Sequence, residues 1–172
     1  MNRLQQLILL ILLTPFAAYG LPFGNTQTDN LLVTANMTSI CSITANPLAF
    51  GNYTGTSPIT QSTTIDVNCV HGTAYSVTAD LGVHSPGSTQ RAMNCPTATA
   101  NLALEYNIYT DGGRTNIWGD TAIVGTVPLP NTGVYTGNAT AQQHTIYGSI
   151  PAGQATSPGA ACTDTVVVTV NF

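Results

Sequence analysis

The chain has 172 residues, of which 43% are hydrophobic and only 6% are charged, and its formal net charge is −4. Lysine is absent, and Arg91 and Arg114 are the only arginines after the first few residues. Nucleic acid and anionic membrane surfaces are therefore poor partners, because binding them requires clustered lysine and arginine.

Residues 1–20 have the pattern of a secretory signal peptide. A short cationic start precedes the apolar run Leu7–Leu13, and small residues follow up to Gly20. We predict cleavage after Gly20, so that the mature chain starts at Leu21. The alternative is an uncleaved membrane anchor, which the shortness of the apolar run disfavours.

Several later segments alternate between apolar and polar residues with a period of two, which is typical of half-buried β-strands. In chain order, these predicted strands are Leu31–Met37, Thr63–Val70, Tyr75–Leu81, Leu102–Ile108, Ile146–Ile150 and Val166–Phe172. Stretches rich in glycine, proline and asparagine separate them, and no segment has the apolar periodicity of an amphipathic helix. The sequence therefore predicts a single all-β domain, an antiparallel sandwich.

The first and the last predicted strands leave a question of pairing. The first lies before the first cysteine, and its apolar positions are Leu31, Val33, Ala35 and Met37. The last carries its apolar positions at Val166, Val168, Val170 and Phe172, and no further strand follows to fill the place beside it. Two alternatives stay open. The first strand folds back into its own sheet, or it fills the open place in another subunit, in a head-to-tail contact that makes fibres.

All four cysteines lie in the predicted mature chain: Cys41, Cys69, Cys95 and Cys162. An even number of cysteines in an exported chain predicts two disulfides, and the residues alone leave three pairings open. No two of them have the C-x-x-C spacing of a zinc site or a redox motif.

The titratable side chains form no recognisable catalytic or metal-binding motif. The histidines are scattered, at His71, His84 and His144. Asp80 and His84 could act with a nearby serine, and Glu105 could pair with Asp111, which would suggest a hydrolase. Asp111, however, lies in an Asp-Gly-Gly turn, and the chain has neither a nucleophile elbow nor a phosphate-binding loop. We therefore predict no enzyme activity, no catalytic residue, no metal site and no cofactor.

Large aromatic side chains allow a different interpretation, a secreted carbohydrate-binding module. They are Tyr106, Tyr109, Trp118, Tyr135 and Tyr147. Packing in the core or between strands is the commoner role of such rings, so we expect them to be structural.

An ordered set of motifs spans nearly the whole mature chain. It begins with Cys41-Ser-Ile, Leu48-Ala-Phe-Gly-Asn-Tyr53 and Thr64-Ile-Asp-Val-Asn-Cys69, continues with Arg91-Ala-Met93, Leu104–Asp111 and Trp118-Gly119, and ends with His144–Ile150, Gln154, Gly159 and Asp164–Phe172. Each motif is weak alone, but together they resemble the spore coat protein U domain family. That family includes the pilins of archaic, Csu-type chaperone–usher pili of Gram-negative bacteria.

The resemblance implies an incomplete immunoglobulin-like sandwich that lacks its final strand. A periplasmic chaperone would lend a strand first, gripping the C-terminal strand and its carboxylate at Phe172. At the outer-membrane usher, the N-terminal segment of the next pilin subunit would replace it. Residues 21–40 then form an N-terminal extension with the donor strand, and residues 41–172 form the pilin domain. The resemblance also implies the disulfides Cys41–Cys69 and Cys95–Cys162.

The function that this resemblance implies is that of a structural subunit, a shaft or adaptor pilin. The chain would pass through the periplasm to a cell-surface fimbrium that serves adhesion and biofilm formation. Two alternatives remain: a self-assembling spore or cyst coat protein of the same fold, and the carbohydrate-binding module.

Overall fold

The computed structural model describes residues 24, 26–87, 89–96, 101–155 and 159–172. The predicted signal peptide, residues 1–20, lies outside the described residues. The chain divides into two compact units, residues 1–36 and residues 37–172. In the described part of the first unit, the backbone has no regular secondary structure and the side chains are exposed.

The described part of the second unit contains eight β-strands. They are β1 (Cys41–Ala45), β2 (Ile59–Cys69), β3 (Ala74–Ala79), β4 (Arg91–Pro96), β5 (Asn101–Tyr109), β6 (Tyr135–Thr136), β7 (Gln142–Ile150) and β8 (Val168–Asn171). Five of them form a sheet in the order β1-β2-β7-β5-β4, and the other three form a sheet in the order β6-β3-β8. The neighbouring strands are antiparallel. No helix among the described residues is long and apolar enough to cross a membrane.

This architecture confirms the predicted antiparallel all-β sandwich. The predicted segments beginning at Thr63, Tyr75 and Leu102 correspond to β2, β3 and β5. β7 begins at Gln142 rather than at Ile146, because Gln142–Thr145 pair with β2. The short strands β1, β4 and β6 were not predicted: β1 alternates over only five residues, and β4 and β6 have no clear period-two pattern.

The core lies between the inward faces of the two sheets. In β2, Ile65, Val67 and Cys69 are at most 1% exposed. In β3, Tyr75 and Val77 are buried equally well. These alternating residues show that the period-two pattern distinguishes the inner face from the outer one.

The structure contains two disulfides, Cys41–Cys69 and Cys95–Cys162, the pairing that the family resemblance implies. The first joins β1 to its neighbour β2 at directly opposite positions. The second joins β4 to the segment that leads into β8. Next to it, Asn94 and Thr163 exchange two main-chain hydrogen bonds of 2.9 and 3.0 Å. Both disulfides therefore hold strands at the edges of the five-stranded sheet.

Candidate functional site: an open groove between β1 and β8

β8 has one paired edge and one free edge. Within the described residues it pairs with β3 alone. The carbonyl and the amide of Val77, in β3, bond to Leu129 on the far side of that strand. The N–H and C=O of one residue point to the same edge of a strand, and those of the next residue point to the opposite edge. Since both groups of Val77 point towards Leu129, they point away from β8, and Val77 makes no hydrogen bond to its opposite residue Val170. The main-chain groups of Val168 and Val170 therefore point to the free edge of β8.

The side chains of this C-terminal segment are only partly covered. Val166, Val168 and Val170 are half-buried, whereas Val167 between them is 57% exposed. Phe172 was expected as the last inward-facing side chain, but it follows the end of β8 and is 60% exposed. The predicted alternation therefore holds through Val170, and no strand among the described residues covers this inner face completely.

β1 presents a second free edge near β8. On the β2 side, Ile40 accepts a hydrogen bond from Val70 N and Asn46 donates one to Thr64 O, both of 3.0 Å. By the same alternation, the main-chain groups of the intervening residue Ile43 point away from β2. The side chain of Ile43 is half-buried and packs against the core.

Two adjoining cavities of about 680 and 430 Å³ open on this side of the sandwich, and the smaller one reaches β1 at Ala45 and β8 at Val168. Both are lined by Leu48, Phe50, Met93 and Cys162. We call this space the groove; one wall runs through Ala45–Thr54 and the other through Gly159–Val168. Its inner surface is formed by core side chains, among them Leu104, Tyr106, Ile108, Trp118, Ile146 and Ile150. The inner surface of the groove is thus part of the core of the sandwich, whereas its walls also carry polar groups.

Gly148 in β7 allows the first wall to approach closely. A Cβ atom at Gly148 would lie 2.7 Å from both Leu48 Cδ2 and Phe50 Cζ, which is closer than real Cβ contacts. The absence of a side chain there lets Leu48 and Phe50 pack across β7. These two residues were missed as site residues by sequence reasoning, although a glycine within an alternating strand is a known sign of close approach.

Asp164 anchors the second wall, in the segment that pairs with β4 at Thr163 and then leads into β8. Its side chain is only 3% exposed. Its Oδ2 accepts a hydrogen bond of 2.7 Å from the Tyr106 hydroxyl, and its Oδ1 accepts one of 3.0 Å from Val83 N and lies 3.1 Å from His84 Nδ1. Gly82, with φ of 81°, leaves room for this carboxylate. Burial, aided by the hydrogen bond to Asp164, raises the pKa of Tyr106 well above its usual value.

Arg91 in β4 supports the same region from inside. Its side chain is fully buried. The guanidinium donates hydrogen bonds to the carbonyl of Asp80, after β3, and to that of Trp118. Burial lowers the pKa of Arg91, and the nearby Tyr106, Asp80 and Asp164 oppose this shift. A buried cation in a strand of mixed pattern gives little signal in the sequence, and its structural role was therefore not predicted.

Two of the acids considered for a hydrolase, Asp80 and Asp111, accept hydrogen bonds from the backbone. Asp80 Oδ1 accepts bonds from Gly82 N and Val167 N, and His84 faces Asp164. Asp111 accepts bonds from the backbone amides of Asn116 and Thr115, and the bond from Asn116 lowers its pKa. Among the described residues, no three metal-ligating side chains cluster.

The large aromatics are mainly packing residues. Trp118 is fully buried, and its Nε1 donates a hydrogen bond of 3.0 Å to Val77 O. Tyr135 stacks on His144 with ring centroids 4.1 Å apart, and the hydroxyl of Tyr75 lies 2.8 Å from His144 Nε2. Burial lowers the pKa of His144. These rings therefore connect the two sheets.

The residues predicted as a donor strand lie in an irregular, exposed stretch of the chain. Leu31, Val33 and Met37 are 87%, 80% and 85% exposed, and Ala35 is exposed as well. Residues 26–40 belong to no strand of either sheet.

The chain matches the model of one protein family, the Spore Coat Protein U domain, over residues 27–169. Among solved structures, it is similar to a chain in the crystal structure of the CsuC–CsuE chaperone–tip adhesion subunit pre-assembly complex from the archaic chaperone–usher Csu pili of Acinetobacter baumannii. The two chains are 24% identical, with a TM-score of 0.55, over 78% of this chain and 40% of that chain. This likeness shows a shared fold with a chain of which the present one spans less than half. No curated protein sequence matches.

Proposed function

The chain belongs to the Spore Coat Protein U domain family, and we propose that it is a structural subunit, a shaft or adaptor pilin, of a chaperone–usher surface pilus. In this role, the groove accepts a β-strand from a neighbouring subunit. The subunit in turn donates its own N-terminal strand, residues about 29–40, to the next groove. Such a head-to-tail contact does not close on itself and builds a fibre.

The observation that carries this proposal is the pair of free strand edges on either side of the groove. Val168 and Val170 in β8 and Ile43 in β1 have main-chain groups that point away from their paired strands, and the groove reaches these two strands at Val168 and Ala45. A strand placed there would find hydrogen-bonding partners on its edges and an apolar surface under its alternate side chains. This is the arrangement required for β-strand addition.

The N-terminal segment has the properties expected of the added strand. Its exposed apolar residues Leu31, Val33, Ala35 and Met37 occur at every second position. One face of an extended strand would thus carry all four into the groove. Their burial would contribute on the order of 5–10 kcal/mol, before the cost of ordering the segment.

The proposed partners are other pilin subunits, a periplasmic chaperone and an outer-membrane usher. They follow from the proposed pilus, and the similar solved structure is itself a chaperone complex of a pilus subunit. We also propose the signal peptide at residues 1–20, the extension at 21–40 and the pilin domain at 41–172. The chain would therefore cross the periplasm to the cell surface, where the fibre serves adhesion and biofilm formation. Asp80, His84 and Asp111, which were considered for catalysis, are engaged in structural hydrogen bonds, which supports a subunit without enzyme activity.

Replacing Val33 with Asp is expected to abolish fibre formation, because a buried charge without a partner in the groove is strongly unfavourable. The measurement is electron microscopy and light scattering of the secreted chain. Leu32→Asp is the matched control, since Leu32 is equally exposed (85%) but lies on the opposite face of the alternation. We expect fibres from the control and unchanged co-purification of both variants with the chaperone. Equal fibre yields from the two variants would refute the proposed donor face.

The family description itself favours one alternative, a coat protein that assembles without a pilus. Gene neighbourhood distinguishes the two. Chaperone and usher genes next to the gene for this chain support the pilus. Coat-protein genes in their place support the alternative. A glycan array tests the remaining interpretation, a carbohydrate-binding module.

A further inference from the structure

We propose that His144 is an acid-sensitive connection between the two sheets, intact while its imidazole is neutral and weakened by protonation. The connection consists of the side chains of Tyr75, Tyr135, Gln142 and His144, which we call the joint. His144 lines neither cavity of the groove. The inference therefore does not depend on the proposed function.

His144 lies on the inner face of β7 and contacts the second sheet at two strands. It alternates with the buried residues Ile146 and Ile150. From β3, the hydroxyl of Tyr75 approaches His144 Nε2 to 2.8 Å. From β6, the ring of Tyr135 stacks on the imidazole, with ring centroids 4.1 Å apart and 30° between the planes. A single imidazole thus joins β7 to both β3 and β6, which are neighbours in the three-stranded sheet.

The hydrogen bonds of Tyr75 determine which nitrogen of the neutral His144 carries the proton. The Tyr75 hydroxyl donates a bond of 3.0 Å to Gln142 Oε1, an oxygen that can only accept. Since the hydroxyl has a single proton, its oxygen must accept the bond from His144 Nε2–H, and Nδ1 is the site that is protonated in acid. Among the described residues, the side chain of His144 forms hydrogen bonds through Nε2 alone. A proton on Nδ1 therefore gains no partner there.

The surroundings of His144 favour the neutral imidazole. Burial lowers the pKa of His144 below its usual value of 6.5, because the charged form loses hydration. Asp66 in β2 acts in the opposite sense, but it lies opposite Gln143 and therefore on the other face of the sheet. Burial raises the pKa values of Tyr75 and Tyr135 above their usual value of 10, so both rings stay neutral in acid. His144 is thus the group of the joint that titrates in mildly acidic solution.

The direction of the pKa change means that acid destabilises the joint. A histidine whose pKa is lower in the folded chain takes up its proton first in the unfolded chain. Its contribution to the free energy of unfolding is therefore complete above the usual pKa and declines as the pH falls through 6.5. Because β3 pairs with β8 as well as with β6, a weaker contact at Tyr75 loosens the whole three-stranded sheet from β7.

The test is His144→Gln in the full chain, with His71→Gln as the matched control. Glutamine keeps an N–H donor for the Tyr75 hydroxyl but does not titrate, and His71 is an exposed histidine outside the joint. Trp118 fluorescence reports the thermal midpoint at about pH 7.5 and about pH 5. Between these values, we expect the midpoints of the wild type and the control to fall by about 2–4 °C more than that of His144→Gln. Carboxylates affect all three chains alike, so the difference isolates His144.

A second measurement, on the wild-type chain, does not require that the variant folds. Deuterium exchange at the imidazole carbon between the two ring nitrogens, followed by mass spectrometry, gives the titration midpoint of each histidine in the free or assembled chain. We expect His144 to titrate below 6.5. A midpoint at or above this value would overturn the proposal, because stacking on Tyr135 would then stabilise the imidazolium. Equal losses in acid for His144→Gln and the wild type would overturn it as well.

Discussion

Replacing Arg91 with Met is expected to lower the free energy of unfolding by about 3–5 kcal/mol. The fully buried guanidinium donates to the carbonyls of Asp80 and Trp118, and methionine leaves both carbonyls without these donors. The substitution also removes the positive charge near the carboxylate of Asp164, which is itself almost completely buried. A buried acceptor or charge without compensation is one of the few mechanisms that produce losses of this size.

Unfolding by guanidinium chloride can be followed through the fluorescence of Trp118, the single tryptophan of the chain. Arg114→Met is the matched control. Arg114 is half-buried rather than fully buried, and its bonds to Gly148 O and Gly112 O are long, at 3.4 and 3.3 Å. We expect the free energy of unfolding of the control to fall by less than about 1 kcal/mol. Similar losses from both substitutions would show that Arg91 is not an internal support of the groove.

Replacing Cys95 and Cys162 with Ala removes the second disulfide and is expected to lower the free energy of unfolding by about 4 kcal/mol. The disulfide closes a long loop, with a sequence separation of 67 residues, and so restricts the unfolded chain strongly. In the folded chain, Cys162 lines both cavities of the groove. Loss of this disulfide should therefore weaken the binding of the added strand as well as the stability of the subunit. The measurement is the temperature at which assembled fibres dissociate.

The same double substitution at Cys41 and Cys69 is the comparison for this prediction. That disulfide closes a shorter loop of separation 28, and it joins strands that already form a continuous antiparallel ladder. We expect a smaller reduction in the dissociation temperature than for Cys95 and Cys162. A larger reduction at the first disulfide would contradict the assignment of the second one to the groove wall.

Much of the fold was predictable from local pattern. The alternation of Ile65, Val67 and Cys69 identified β2 and its inner face, because strand geometry imposes a period of two. The same signal predicted the inward positions Val166, Val168 and Val170. The same pattern predicted that the last strand extends to Phe172, whereas β8 ends at Asn171. Periodicity does not show where the pairing with a neighbouring strand ends.

The walls of the groove were less predictable, because they depend on contacts between residues distant in sequence. Leu48 and Phe50 reach the groove by crossing Gly148, about 100 residues later. Asp164 acquires its role from Tyr106, Val83 and His84, which come from different parts of the chain. The disulfide pairing, too, remained open from the residues alone and followed only from the family resemblance.

The most direct test of the account is hydrogen exchange at the free edge of β8, measured residue by residue. The amides of Val168 and Val170 point to the free edge of β8, so a strand from a neighbouring subunit should bond to that edge and slow exchange there. The amide of Val77 serves as the internal reference, because it is already bonded to Leu129 O at 2.8 Å. We predict that fibres of the wild-type chain protect Val168 and Val170, and that the Val33→Asp variant protects Val77 but not these two amides. Equal protection of Val168 and Val170 in the fibre and in the variant would contradict strand addition at the groove.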